Sequence, residues 1–223
     1  MLIIGVIVGI SFLRNKSEKV RRSAIITLAS IILIFELVRR IVNFSRGDDF
    51  EWTLFLKTLL PRPWCAISCW VMIIAAIVNK KFFYNYASVT GILCTLVFFA
   101  YPSVGFNHTC VLFEDLYSIC THSCLLISSV SLITLRLADF RHKEAWKELI
   151  CLAVTFAYGF IEIFILKIEP DPLYFMPNNE VQEILGMDYP LYLVLYIIFL
   201  AVFFNSFYLV KGLFEKRKKA LTA

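Results

Sequence analysis

The stretch Phe113–Leu135, FEDLYSICTHSCLLISSVSLITL, decides how this chain is read. It is long enough to cross a bilayer, yet it carries Glu114, Asp115 and His122. Ionisable side chains inside an apolar span are costly and rarely face lipid. Asp115, Ser118, His122 and Ser129 recur at helical intervals, so one face of the predicted helix is polar. The opposite face, with Leu116, Ile119, Leu126, Ile127 and Val130, suits lipid or neighbouring helices. Such a helix needs companions to shelter its polar side, and the rest of the chain reads as those companions.

The composition agrees. Of the 223 residues, 60% are hydrophobic and only 17% charged, and the mean hydropathy is +0.76. A soluble domain is nearer half apolar with about a quarter of its residues charged. The charges cluster between long apolar runs. The short alternating segments of a membrane barrel do not occur. The net charge of +5 does not indicate nucleic acid, because the basic residues stand at the ends of apolar segments. The chain is therefore expected to be an all-α integral membrane protein, a single transmembrane domain over residues 1–223. No segment between spans is long enough to bury a soluble core.

Seven cysteines suggest disulfides until they are placed. Cys65, Cys69, Cys94, Cys120, Cys124 and Cys151 lie in or beside apolar segments, and only Cys110 falls in a short loop. Buried cysteine behaves mostly as a small hydrophobe, so no disulfide framework is predicted. Metal-ligand spacing and a glycine-rich phosphate loop are both missing; no metal or cofactor is expected.

Seven spans are predicted, at about 2–13, 23–44, 63–79, 82–101, 113–135, 146–166 and 191–213. The first is short against the roughly 20 residues a crossing needs. No basic segment precedes it and no cleavage site follows, so it reads as a short span or as the remainder of a longer one. Pro61 and Pro63 mark the start of the third span, since proline fits the first helical turn. Most of the 22 lysines and arginines follow spans one, three, five and seven. The positive-inside rule then places the N-terminus outside and the C-terminus in the cytoplasm of a multi-pass protein of the cell membrane.

With that orientation, Glu36, Cys65, Asp115, His122 and Glu162 all fall in the outer half of the membrane. Each has a structural reading and a functional one. Glu36 reaches Arg39 or Arg40 at helical spacing and reads as an ion pair. Glu162 can hydrogen-bond Tyr158 or pair with Lys167. Asp115 suits the headgroup level. A buried histidine is often simply hydrogen-bonded, and Cys65 can be a small core residue. The functional reading pairs Cys65 with His122, a thiol nucleophile with an imidazole base. Such a pair could carry an acyl chain as a thioester, with Asp115 or Glu36 orienting the imidazole. Glu36, Arg39, Asp115, Ser118 and Glu162 then form the polar core or contact substrate.

These residues also carry a resemblance. A glutamate lies inside the second span, LPRPWC heads the third, YPSVGF closes the fourth and DLYSICTHS stands in the fifth. A loop containing LYFM precedes the last span. The arrangement, from about Ser23 to Lys211, resembles the YwaF-like bacterial membrane proteins, related to the eukaryotic transmembrane protein 164 family. The resemblance implies a seven-helix protein. It also implies phospholipid acyl transfer by a cysteine, here Cys65, and a histidine, here His122. The sequence departs from the bacterial pattern at Arg62, Pro63 and Trp64, where a motif like LPLHLC loses its histidine. It departs again at Pro172–Met176, where a motif like NYMYL is expected.

The expected function is a lipid acyltransferase using Cys65 and His122, acting on acyl-lipid substrates, with membrane lipids as partners. One alternative is a transporter with Glu36, Asp115, His122 and Glu162 as a proton or ion relay. The other is a non-catalytic accessory protein whose polar core only fixes helix register.

Overall fold

A computed structural model describes residues 11–45, 52–100, 113–168 and 171–222. Every regular element among them is helical. The predicted first span, 2–13, lies almost wholly outside the described residues, as do the loop carrying YPSVGF and Cys110 and the acidic pair Asp48 and Asp49.

The chain divides into two compact units, Met1–Asp139 and Phe140–Ala223. The first contains α1 (Glu18–Ser45), α2 (Trp52–Leu59), α3 (Trp64–Val78), α4 (Lys81–Ala100) and α5 (Phe113–Thr134). Helix α1 packs on α3 and α5, and α4 packs on α3 and α5, so the four long helices form a ring. Short connections make sequential neighbours antiparallel. Asn79 turns the chain from α3 to α4 in a left-handed conformation (φ 55°), and its side chain accepts from Tyr84 Oη at 2.8 Å. The up-and-down order brings the C-terminal ends of α1 and α4 to the same end of the bundle as the N-terminal ends of α3 and α5.

The core between these helices is apolar, built on Ile25, Ala29 and Ile32 of α1, Met72 and Ala75 of α3, and Leu125 and Leu132 of α5. Polar side chains close the end away from Cys65. Asn85 Nδ2 donates to Asp139 O at 3.0 Å and Asn85 Oδ1 accepts from Asp139 N at 2.7 Å. Arg21 donates to the carbonyl of Leu135. Helices α4 and α5 approach closely at Gly91, where an added Cβ would stand 2.1 Å from Ser129 Oγ and 3.2 Å from Leu125 Cδ1.

The polar face predicted for Phe113–Leu135 turns inward. Asp115, His122 and Ser129 are buried, whereas Leu116 is 55% exposed. The short helix α2 stands between α1 and α3 in the chain.

The second unit contains α6 (Ala145–Phe160), α7 (Glu180–Leu185) and α8 (Tyr189–Thr222). Helix α6 widens into a π-helix over Ile161–Ile165. There Leu166 N donates to Ile161 O, five residues back, at 3.0 Å. The segment predicted as plain helix to 166 thus ends in a wider turn, the form single-turn insertions take. Helix α8 runs past the predicted end at 213. Its charged tail is rich in good helix formers and carries a Lys211–Glu215 contact at 3.7 Å.

The loop before α7 is held as a compact plug. The Asp171 carboxylate accepts from the backbone N–H groups of Leu173, Phe175 and Met176. Tyr189, Tyr192 and Tyr196, along one side of α8, donate to the carbonyls of Phe175, Tyr174 and Leu173. Leu173 is fully buried and fits against Gly159, where a Cβ would come within 2.6 Å of its Cδ1.

Among the described residues, four helices are long and apolar enough to cross a membrane: Lys81–Ala100, Asp115–Thr134, His142–Ile165 and Tyr189–Glu215. Helix α3 is apolar but shorter. Helix α1 has the length, 28 residues, and carries Glu36, Arg39 and Arg40 within it.

Candidate functional site

Helix α3 begins directly after Pro63, which stands in extended conformation behind a cis Arg62–Pro63 peptide. Cys65 is therefore in the first turn, where backbone N–H groups lack intrahelical partners and the helix dipole favours negative charge. Its thiol is free and partly buried.

Two side chains from other helices reach it. Cys94 of α4 and His122 of α5 both interact with the Cys65 thiol. Cys94 Sγ also lies 3.2 Å from Ser68 Oγ, one turn further along α3. The imidazole is fixed on two sides. Its ring stacks on Phe98, with centroids 3.7 Å apart and planes within 5°. Nδ1 lies 2.7 Å from Ser118 O and 3.5 Å from Ser118 Oγ. Among the described residues, Nε2 is buried without a hydrogen-bond partner.

At the same end of the bundle lies a compensated acid. Glu36 is 1% exposed. Its Oε2 accepts from Arg40 Nη1 at 2.6 Å and from Arg39 Nη2 at 3.4 Å. Its Oε1 accepts from Tyr117 Oη at 2.9 Å. Arg40 also donates from Nε to Leu59 O at 3.1 Å and stacks over Trp70, 5.3 Å from the ring centroid. Arg39 donates to Arg62 O at 3.4 Å. A buried carboxylate needs this degree of pairing, since an uncompensated charge is costly in an apolar interior.

The sequence-predicted residues thus separate into groups. Cys65, His122 and Ser118 come together, with Glu36 and Arg39 beside them through Tyr117 and the backbone of Arg62. Asp115 is buried in the first turn of α5 (4% exposed). Glu162 belongs to the second unit, fully buried in the π-helical turn and hydrogen-bonded by Tyr158.

Sequence reasoning missed Cys94, Phe98 and Tyr117. Nothing local marks Cys94 or Phe98, which stand in an unbroken apolar run. Tyr117 had a signal: with Thr121 it forms a second polar stripe at i, i+4, next to the one through Ser118 and His122. Among the described residues, no group of three or more His, Cys, Asp and Glu side chains could hold a metal ion.

Together these features define a helical membrane protein with a thiol, an imidazole and a compensated acid gathered at one end of a helix ring. The chain belongs to the TMEM164 family, whose model matches residues 1–208. No curated protein and no solved structure matches it.

Proposed function

We propose that this chain is a membrane-bound lipid acyltransferase in which Cys65 is the nucleophile and His122 its base. The observation that carries the reading is the approach of the His122 imidazole to the Cys65 thiol, with Nδ1 held by Ser118 O. A carbonyl oxygen only accepts, so Nδ1 bears the proton and Nε2 keeps the lone pair that a base needs. Membership of the TMEM164 family is consistent with it.

In the proposed reaction, Nε2 takes the thiol proton and the thiolate attacks the carbonyl carbon of a lipid ester. The ester C–O bond breaks, and the leaving oxygen takes the proton back from Nε2. A thioester on Cys65 and a lysolipid result. A hydroxyl of a second lipid then attacks the thioester while Nε2 accepts its proton, giving a new ester and restoring the thiol.

The same proposal includes seven spans, a single domain, an outward N-terminus, residence in the cell membrane and a place in the YwaF-like bacterial branch. The charge distribution and the short motifs support these readings. On that orientation, Cys65 and His122 open toward the outer leaflet.

The test is thiol labelling of the purified protein in detergent with an acyl-lipid probe, followed by peptide mapping. Labelling concentrated on Cys65, and lost in both Cys65→Ala and His122→Ala, is expected. Labelling of Cys65 no faster than of Cys69 or Cys124, whatever occupies position 122, would overturn the reading.

A further inference from the structure

We propose that Arg39, backed by Arg40, binds the phosphodiester of a glycerophospholipid beside Cys65. Charge balance is the starting point. Glu36 carries one negative charge and faces two guanidinium groups. Arg40 takes the carboxylate at 2.6 Å, while Arg39 stands off at 3.4 Å from the same oxygen. Tyr117 occupies the other carboxylate oxygen. Among the described residues one positive charge of this cluster is therefore left over, and its owner is the loosely held Arg39.

The contacts of Arg39 are those of a side chain kept in place without being used up. Both of its hydrogen bonds, to Glu36 Oε2 and to Arg62 O, are 3.4 Å long. Its guanidinium lies 6.0 Å from the Tyr117 ring centroid. Among the described residues it makes no shorter polar contact. The Arg39 side chain is 26% accessible, against 9% for Arg40. Among the described residues, Nη2 of the neighbouring Arg40 is buried with no hydrogen-bond partner. A planar guanidinium fork with a free edge matches the paired oxygens of a phosphate or a carboxylate.

The position selects the source of that phosphate. Arg39 lies six residues before the end of α1 at Ser45, which is about 9 Å along the helix axis. Beside it on α1, Leu37, Val38 and Ile41 are 45%, 37% and 67% exposed. The guanidinium thus borders an apolar outer surface near one end of α1, and a side chain of this length reaches from there toward the headgroups of lipids lying against that surface. It also touches the carbonyl of Arg62, three residues before Cys65. A lipid held there by its phosphate presents its glycerol esters toward the thiol. The purpose of such a site rests on the acyltransferase reading, but the binding itself does not.

Equilibrium binding to the full chain in detergent tests this. The probes are fluorescent phosphatidylcholine, fluorescent diacylglycerol with the same acyl chains, and inorganic phosphate as competitor. The wild type is expected to prefer the phospholipid over the diacylglycerol by about tenfold or more, the scale of one charge-assisted contact. Arg39→Gln is expected to remove that preference and leave diacylglycerol binding unchanged, and Arg39→Lys to keep part of it. Thermal unfolding of each variant identifies any that is misfolded, and for such a variant Arg39→Lys supplies the comparison. An unchanged preference in a folded Arg39→Gln, or inorganic phosphate binding as well as the phospholipid, would overturn the proposal. Acyl transfer is read in parallel. Headgroup preference that depends on Arg39 in a protein without transferase activity would uphold this site and sink the proposed function. Transfer that depends on Cys65 but ignores Arg39 would do the reverse.

Discussion

His122 Nδ1 lies 2.7 Å from the Ser118 carbonyl oxygen, one turn back along the same helix. That contact sets the tautomer and leaves Nε2 as the basic atom facing α3. His122→Ala is expected to slow maleimide modification of Cys65 by about a hundredfold, the lower range for a positioned general base. Modification rates resolved by peptide mass spectrometry give the answer. A change under about threefold at Cys65 would show that the imidazole does not activate it.

Phe98 holds the other face of the same ring by stacking at 3.7 Å. Phe98→Leu keeps most of the buried volume but removes the flat surface. Stability should fall by no more than about 1.5 kcal/mol, as for other volume-conserving swaps. Cys65 modification should slow several-fold, because the imidazole loses its fixed plane. Slowing as large as in His122→Ala, with the melting temperature unchanged, would mean that Phe98 does more than orient the ring.

Tyr117 supplies the only donor that the described residues give to Glu36 Oε1. Tyr117→Phe leaves that buried oxygen unpaired and should cost about 1–3 kcal/mol. Glu36→Gln is expected to be worse, at about 3–5 kcal/mol, because it leaves two arginines without their counter-charge. Thermal unfolding in one detergent ranks the two variants. The opposite ranking would show that the arginines are neutralised from elsewhere.

Gly91 permits the contact of α4 with α5. Any larger side chain there meets Ser129 Oγ and Leu125. Gly91→Leu should destabilise by at least the roughly 1–3 kcal/mol typical of overpacking. It should also slow Cys65 modification, since Cys94 and His122 ride on the two helices it separates. Full stability in this variant would show that α4 and α5 do not pack closely at Gly91.

Asp171 accepts three backbone N–H groups in the loop that plugs the second unit. Asp171→Ala removes all three acceptors at once. Limited proteolysis should then cut between 172 and 179 at least about tenfold faster, as expected when more than 1.4 kcal/mol of local stability is lost. Unchanged protection would assign the hold to Tyr189, Tyr192 and Tyr196 alone.

Much of this was legible beforehand, for definite reasons. Hydropathy depends on each residue's own transfer energy, so the positions of α1, α3, α4, α5, α6 and α8 follow from the chain read locally. Helical periodicity likewise marked Asp115, His122 and Ser129 as inward-facing, and the Glu36–Arg39/Arg40 spacing marked an ion pair. Proline chemistry put Cys65 at a helix start. What no local reading could supply is which helices are neighbours and how far each is slid and rotated against the next. Those choices are made by packing: Gly91 admits α5, Ile25 and Met72 seat α1 on α3, and the ring order follows. Only then do Cys94 and Phe98, ordinary members of an apolar run, arrive beside Cys65 and His122. Glu162 matches them in character, yet its contact with Tyr158 and its π-helical turn belong to the second unit. Composition and period act along one helix, whereas a site drawn from α1, α3, α4 and α5 exists only through the registry between them.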